Sequence, residues 1–488
     1  MRTLILLMVL LVPLGANAQT TFERTYGGSG DDYAYSVAET DDGGYIVAGW
    51  TWSFGPGIPD IYLVKTDGAG DTVWTRAYGG SLGDFSYSVE QTDDGGYVVA
   101  GYTFSFGAGV ADVYLIKTDG AGDTLWTRTY GGNEYEYAKA LDTTGDGGYV
   151  VAGHTESFGA GNGDVYLVKT DSSGDTVWTR AYGGPEIDWA ESVERTDDGG
   201  YVIAGSTESF GAGNPDVYLI KTDAVGDTLW TRTYGGTGYD HGRSVAQTDD
   251  GGYIIAGQTG SFGAPGYNVY LVKTNGAGDT LWTRTYGGSD YEYGYSVAQT
   301  DDGGYIIAGY TETFAVGGWD VYLIRTDEAG DTVWTRTFGG LQHDYGHWIE
   351  ATEDRGYIIA GSTDSFGAGN ADVYLIKTDA NGYVQVSGDL DEIPRPRYLY
   401  LSQNHPNPFG SSTTISYSLA AAAQVRLAVY DIRGARVRGL VSGTAPAGSH
   451  QVAWDGRDER GREVGSGIYF CRLEAGERSE TRRMVLLR

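Results

Sequence analysis

Gly27-Gly28-Ser29-Gly30-Asp31-Asp32-Tyr33, followed by Asp41-Asp42-Gly43-Gly44-Tyr45-Ile46-Val47-Ala48-Gly49, returns along this chain every 52 residues, with substitutions but without insertions. The Gly-Gly pair begins at Gly27, Gly79, Gly131, Gly183, Gly235, Gly287 and Gly339. The tyrosine that opens the apolar run keeps the same step from Tyr45 to Tyr357. A fixed period of this size marks a solenoid, a propeller or an array, because a single unit cannot bury its own apolar face.

Each unit reads as strands. Residues 33–40 alternate, with Tyr33, Tyr35 and Val37 on one side and Ala34, Ser36 and Ala38 on the other. Asp41-Asp42-Gly43-Gly44 has the composition of a hairpin turn. Tyr45-Ile46-Val47-Ala48 is continuously apolar, as in a strand buried on both faces. Ile61-Tyr62-Leu63-Val64 is a third strand, and Thr72-Val73-Trp74-Thr75-Arg76 a fourth after the tight Gly68-Ala69-Gly70-Asp71. Four short antiparallel strands in each of seven units predict an all-β chain, a seven-bladed β-propeller over residues 19–386. An open β-solenoid is the alternative, but its coils use shorter repeats and no end cap is evident. Phe22 stands where the other units have Trp74 to Trp334, so residues 22–26 are half an outer strand with no unit before them. Residues 382–386 are the complementary half. The ring can close by joining them, either in one strand position or side by side.

Residues 1–18 have a charged start, an apolar run from Leu4 to Leu14 and Ala16-Asn17-Ala18, the form of a secretory signal peptide. No later run is long enough to span a membrane as a helix. The expected protein is a monomer, secreted or held at the outer cell surface. The single Cys471 excludes an intramolecular disulfide and reads as a buried strand residue. Residues 1–394 carry a net charge of −38 and the remainder +6. Such a field repels nucleic acid and favours cations or basic partners.

The repeat unit resembles a bacterial β-propeller repeat family built on GGSGxD…GGYIVAG-like units, which implies a fold and no single activity. After an acidic, Pro-containing linker at 387–397, residues 398–488 resemble a second family. Leu401-Ser402-Gln403-Asn404-His405-Pro406-Asn407-Pro408-Phe409, Trp454-Asp455-Gly456-Arg457-Asp458, Ser466-Gly467-Ile468-Tyr469-Phe470 and Arg483-Met484-Val485-Leu486-Leu487 look like the C-terminal sorting domain of type IX secretion substrates. That domain is similar to the Ig-like domain of flagellar hook-capping proteins. The resemblance implies a small β-sandwich, read by the outer-membrane secretion machinery and often removed when cargo is anchored.

Comparison of the units with one another locates candidate sites. The two hairpin turns barely change. The other two connections vary, and in up-and-down blades they share one end. They supply Trp50, Trp52, Tyr102, Phe104, His154, Trp189, His241, Tyr310, Trp319, His343, His347 and Trp348 as a candidate ligand-binding face, suited to a glycan or a surface protein. One position in these loops is always acidic: Asp32, Asp84, Glu136, Asp188, Asp240, Glu292 and Asp344. It reads either as a carboxylate ring at the channel mouth, able to bind Ca²⁺ through oxygen, or as seven structural caps paired with Arg24-type or Lys65-type cations. No catalytic residue is evident, since the six His lack metal-site spacing and no nucleophile or phosphate-loop motif occurs. The expected function is a non-enzymatic surface binding or adhesion protein. The alternatives are a polysaccharide hydrolase or lyase using His343 or His347, and a structural surface protein without a ligand.

Overall fold

A computed structural model describes residues 20–57, 59–213, 215–384 and, with short breaks, 400–487. The expected signal peptide and linker lie outside these residues. The chain divides into two compact units, Met1–Val386 and Ser387–Arg488.

The first unit holds seven four-stranded antiparallel sheets, the blades of a propeller. In the first blade, β2 (Asp32–Glu39) lies innermost, followed by β3 (Tyr45–Thr51), β4 (Asp60–Thr66) and β5 (Thr72–Tyr78). All of β4 and all but one residue of β3 are buried, whereas no residue of β5 is. This explains the unbroken apolar runs, because both faces of a blade pack on neighbouring blades. Ile61 and Leu63 of one blade meet Val89, Val99 and Ile116 of the next in one core cluster.

The seventh blade completes the ring with the N-terminal strand. β1 (Phe22–Tyr26) pairs antiparallel with Asp372–Thr378, Phe22 opposite Lys377 as Trp74 is opposite Lys65. The Phe22 ring meets Tyr45 edge-on at 6.0 Å, as Trp74 meets Tyr97 at 5.9 Å. From the other side the chain makes the usual turn, Asp379 N donating to Tyr383 O at 2.8 Å, and Val384 packs on the core. The two half-strands therefore share one strand position.

The innermost strands depart from simple alternation. Each carries a β-bulge, between Ala34 and Ser36 in the first blade and at the corresponding place in the other six. A bulge adds one unpaired residue and re-aims its side chain. Here that residue is Tyr35, Tyr87, Lys139, Glu191, Arg243, Tyr295 or His347.

The second unit is a sandwich of a three-stranded and a four-stranded sheet. Its core holds Trp454, Leu427, Leu473, Met484 and Cys471. Burial pushes the Cys471 thiol up to about 12, so it is an inert core residue.

Candidate functional site: the two mouths of the channel

The varied connections do share one end. Trp52 N donates to Asp31 O at 2.8 Å, and Gly30 N to Ser53 Oγ at 2.9 Å, tying the two loops of the first blade together. Just inside this mouth stands one aromatic or imidazole side chain per blade: Tyr33, Phe85, Tyr137, Trp189, His241, Tyr293 and Tyr345. The candidate face joins them in ring contacts. Trp50 lies 4.3 Å from Tyr33, Tyr102 4.8 Å from Phe85 and 4.5 Å from Tyr137, and Tyr310 4.9 Å from both Tyr293 and Tyr345. Phe104 packs on Tyr102 at 5.8 Å and Trp319 on Tyr310 at 5.1 Å. Trp189 lies 5.7 Å from His241, whose imidazole burial and then Arg243 hold at about 3, so it stays neutral. Trp52 is 51% exposed at the rim.

Two expected face residues lie elsewhere. His347 sits in the lumen as a bulge residue, stacked on Tyr35 at 4.6 Å and joined through Nδ1 to Ala34 O at 2.9 Å. Burial holds its imidazole at about 4. Trp348, the next residue, turns away into the packing between the last blade and the first and donates to Glu350 Oε1 at 3.3 Å. His343 and His347 do not meet, because Tyr345 lies between them, 6.0 and 6.2 Å away.

The bulge residues form a band of contacts across the lumen that the alternating reading missed. Lys139 Nζ stands 3.6 Å over the Tyr87 ring, Arg243 pairs with Glu191 at 3.0 Å, and Arg243 also covers Tyr295 at 5.0 Å. A hollow of about 200 Å³ opens above them, lined by Tyr137, Lys139, His154, Ile187, Trp189 and Glu191. Towards the other mouth the lumen turns acidic, with Glu90, Asp142, Glu194 and Glu350. Burial raises all four, Glu194 and Glu350 to about 7. The 52-residue step could have revealed both groups, since the bulge position changes chemistry in nearly every unit.

The acidic loop series does not form a ring at the mouth. Asp32, Asp84, Glu136, Asp188, Asp240, Glu292 and Asp344 are all 0% exposed, and among the described residues no three or more His, Cys, Asp or Glu side chains converge. Each ties its own loops together: Asp84 accepts from Gly80 N at 2.7 Å, Ser105 Oγ at 2.8 Å and Thr103 Oγ1. The expected cation partners are engaged elsewhere. Lys65 pairs with the turn residue Asp42 at 2.9 Å and Arg24 with Asp71 at 3.7 Å. What lies beside the acidic series is a second buried acid opening each third strand: Asp60, Asp112, Asp164, Asp216, Asp320 and Asp372, with Asn268 in the remaining blade. Each faces the acid of the following blade. Burial first, and the Asp344 charge after it, push Asp320 up to about 7.

The described residues contain no helix long and apolar enough to cross a membrane. The model of the FlgD Ig-like domain matches residues 407–479, so the chain carries this domain at its C-terminal end. The regulatory protein FlaEY of Caulobacter vibrioides is 25% identical over 316 residues, 58% of this chain. That alignment spans only 30% of the relative's length. Among solved structures, PorZ, a bacterial surface component of the type-IX secretion system of Porphyromonas gingivalis, is similar at 14% identity with a TM-score of 0.42, over 95% of this chain and 60% of that one. Sqt1 from Chaetomium thermophilum is similar at 12% identity and a TM-score of 0.41, over 69% and 83% of the two chains.

Proposed function

We propose that this chain is a secreted or surface-displayed binding protein whose ligand is a glycan held at the varied mouth of the propeller. The observation that carries this reading is the belt of seven aromatic and imidazole side chains inside that mouth, above a hollow walled by Tyr137 and Trp189 with Lys139 and Glu191 beneath. Flat aromatic faces bury the apolar faces of sugar rings, and the charged groups below them supply directional hydrogen bonds. The chain binds without turnover, and its Ig-like domain is the export signal for the secretion machinery.

A glycan array probed with the full chain tests the first part. Saturable binding lost in Trp189→Ala, with the polysaccharide recovered at its original length, is the expected result. Shortened chains would make the protein a hydrolase or lyase, and the absence of saturable binding would leave a structural surface protein. Deletion of residues 387–488 tests the second part: the truncated chain is expected to stay inside the cell envelope.

A further inference from the structure

Two buried carboxylates meet at nearly every blade junction. A β-carbon placed on Gly79 would overlap Asp60 Oδ1 and lie 2.6 Å from Asp84 Oδ2, so both oxygens sit over the same glycine. Gly183 holds the corresponding place between Asp164 and Asp188, and Gly235 between Asp216 and Asp240. Glycine at this step of the repeat makes room for the two carboxylates, whose oxygens occupy the place a side chain would take.

The groups gathered over that glycine are acceptors. Asp84 already takes hydrogen bonds from a backbone amide and two hydroxyls. Asp60 Oδ2 accepts from Gly57 N at 2.7 Å, while Asp60 Oδ1 is buried with no hydrogen-bond partner. Asp164, Asp216 and Asp320 repeat this orphaned Oδ1. Backbone carbonyls of the next blade approach from the loop side. A β-carbon on Gly57 would stand 2.5 Å from Leu82 O, 2.8 Å from Gly80 O and 3.0 Å from Asp60 Oδ1. None of the ion pairs found among the described residues includes either acid series. Two buried negative charges without a counter-charge are costly, and oxygen-only surroundings suit a hard cation.

We propose that the blade junctions are Ca²⁺ sites, each cation bridging the acid that opens one blade's third strand and the acid that opens the next blade's inner strand. Six junctions carry two carboxylates. The seventh pairs Asn268 with Glu292, so it has one negative charge fewer and binds more weakly. The cations rivet neighbouring blades beneath the varied loops. The sites are independent of any ligand at the mouth.

The test uses the full chain, stripped with EDTA and titrated with CaCl₂ alone. Calorimetry and elemental analysis are expected to find about six Ca²⁺ per chain, with affinities in the range of about 0.1–1 mM typical of extracellular modules. The melting temperature is expected to rise by roughly 10 °C in excess Ca²⁺. Asp60→Asn with Asp216→Asn should lower the stoichiometry by two. The fold already accepts Asn at this position in one blade, so that variant is expected to fold. Asn268→Asp should add one strong site. Stoichiometry unchanged in both variants would assign the bound Ca²⁺ to surface acids and overturn the proposal. Equal melting in Ca²⁺ and EDTA would also overturn it, because a cation that bridges two blades must stabilise the folded chain.

Discussion

The two ends of each blade use the same device, a carboxylate that organises a connection, and settle its charge differently. At the uniform end Asp94 is exposed and joined to the buried Lys117 at 2.9 Å. The Thr92 hydroxyl, working against burial and with help from Lys117, holds it at about 2. That turn is complete in itself, and its sequence scarcely changes because turn and partner fit only each other. At the varied end Asp84 is fully buried, its hydrogen-bond donors are neutral, and its nearest charged neighbour is another acid. The loops there are long enough to change without disturbing the strands. Constancy at one end thus reflects local chemistry that closes, and variation at the other reflects a scaffold that supports its loops from beneath.

The most damaging way to break this contrast is to disturb the bulge that separates the two halves of the lumen. Gly205 pairs with Ala190 across the bulge. A β-carbon there would overlap the Trp189 carbonyl and come within 2.8 Å of Ala190 Cα, both of them backbone. Gly205→Ala is expected to cost about 3 kcal/mol, read by denaturant unfolding. A change below about 0.5 kcal/mol would mean that the bulge yields and that the bulge side chains are not fixed by it.

A smaller effect of opposite sign comes from the uniform end. The turn glycine adopts φ +75° at Gly43 and similar values in the next five blades, but the seventh blade places Arg355 there at φ +67°. This region disfavours any residue with a β-carbon. Arg355→Gly is expected to stabilise the propeller by about 1 kcal/mol in the same assay, offset in part by glycine's greater freedom in the unfolded chain.

Smaller still is a pH effect from the acidic half of the lumen. Glu194 and Glu350 have folded-state values raised to about 7, burial being the main cause. Groups raised in this way bind protons on folding. The stability they contribute is full below the unfolded carboxyl value of about 4.5 and is lost as the pH rises through about 7. The melting temperature in EDTA is therefore expected to fall between pH 5 and pH 8, and Glu350→Gln to flatten that slope. A slope that survives the substitution would assign it to other carboxyls, such as Asp320.

How much of this was legible in the sequence depended on whether chemistry followed the repeat. Blade number, strand order and the buried second and third strands were legible, because seven copies average out local ambiguity. The bulge was not: it leaves no special residue at Tyr35, and strict alternation fits the strand equally well. Hence the repeat pattern places Trp348 on the face, whereas the bulge turns it into the packing. The Asp32 series was legible as a constant acid, but its partners were not, because hydroxyls at Thr51 and Ser53 and the second acid at Asp372 come together only across strands and blades. Ring closure was half legible, since Phe22 marked the missing tryptophan but could not show which register it would take.

The smallest expected effect on folding tests the varied end directly. Trp52 is 51% exposed at the rim of the first blade, and no ring of the belt stacks on it. Its backbone amide, bonded to Asp31 O, is kept in any substitution. An exposed side chain without core contacts leaves stability within about 0.5 kcal/mol when truncated. The belt residues, such as Trp50 on Tyr33, pack on one another and would lose stability as well as any ligand contact. Trp52→Ala therefore separates the two roles: unfolding is expected to match the parent chain while glycan binding weakens several-fold. Unfolding that shifts by more than about 1 kcal/mol would show that the rim helps to hold the loops, and that the varied end is less free of its scaffold than the contrast with the turn end implies.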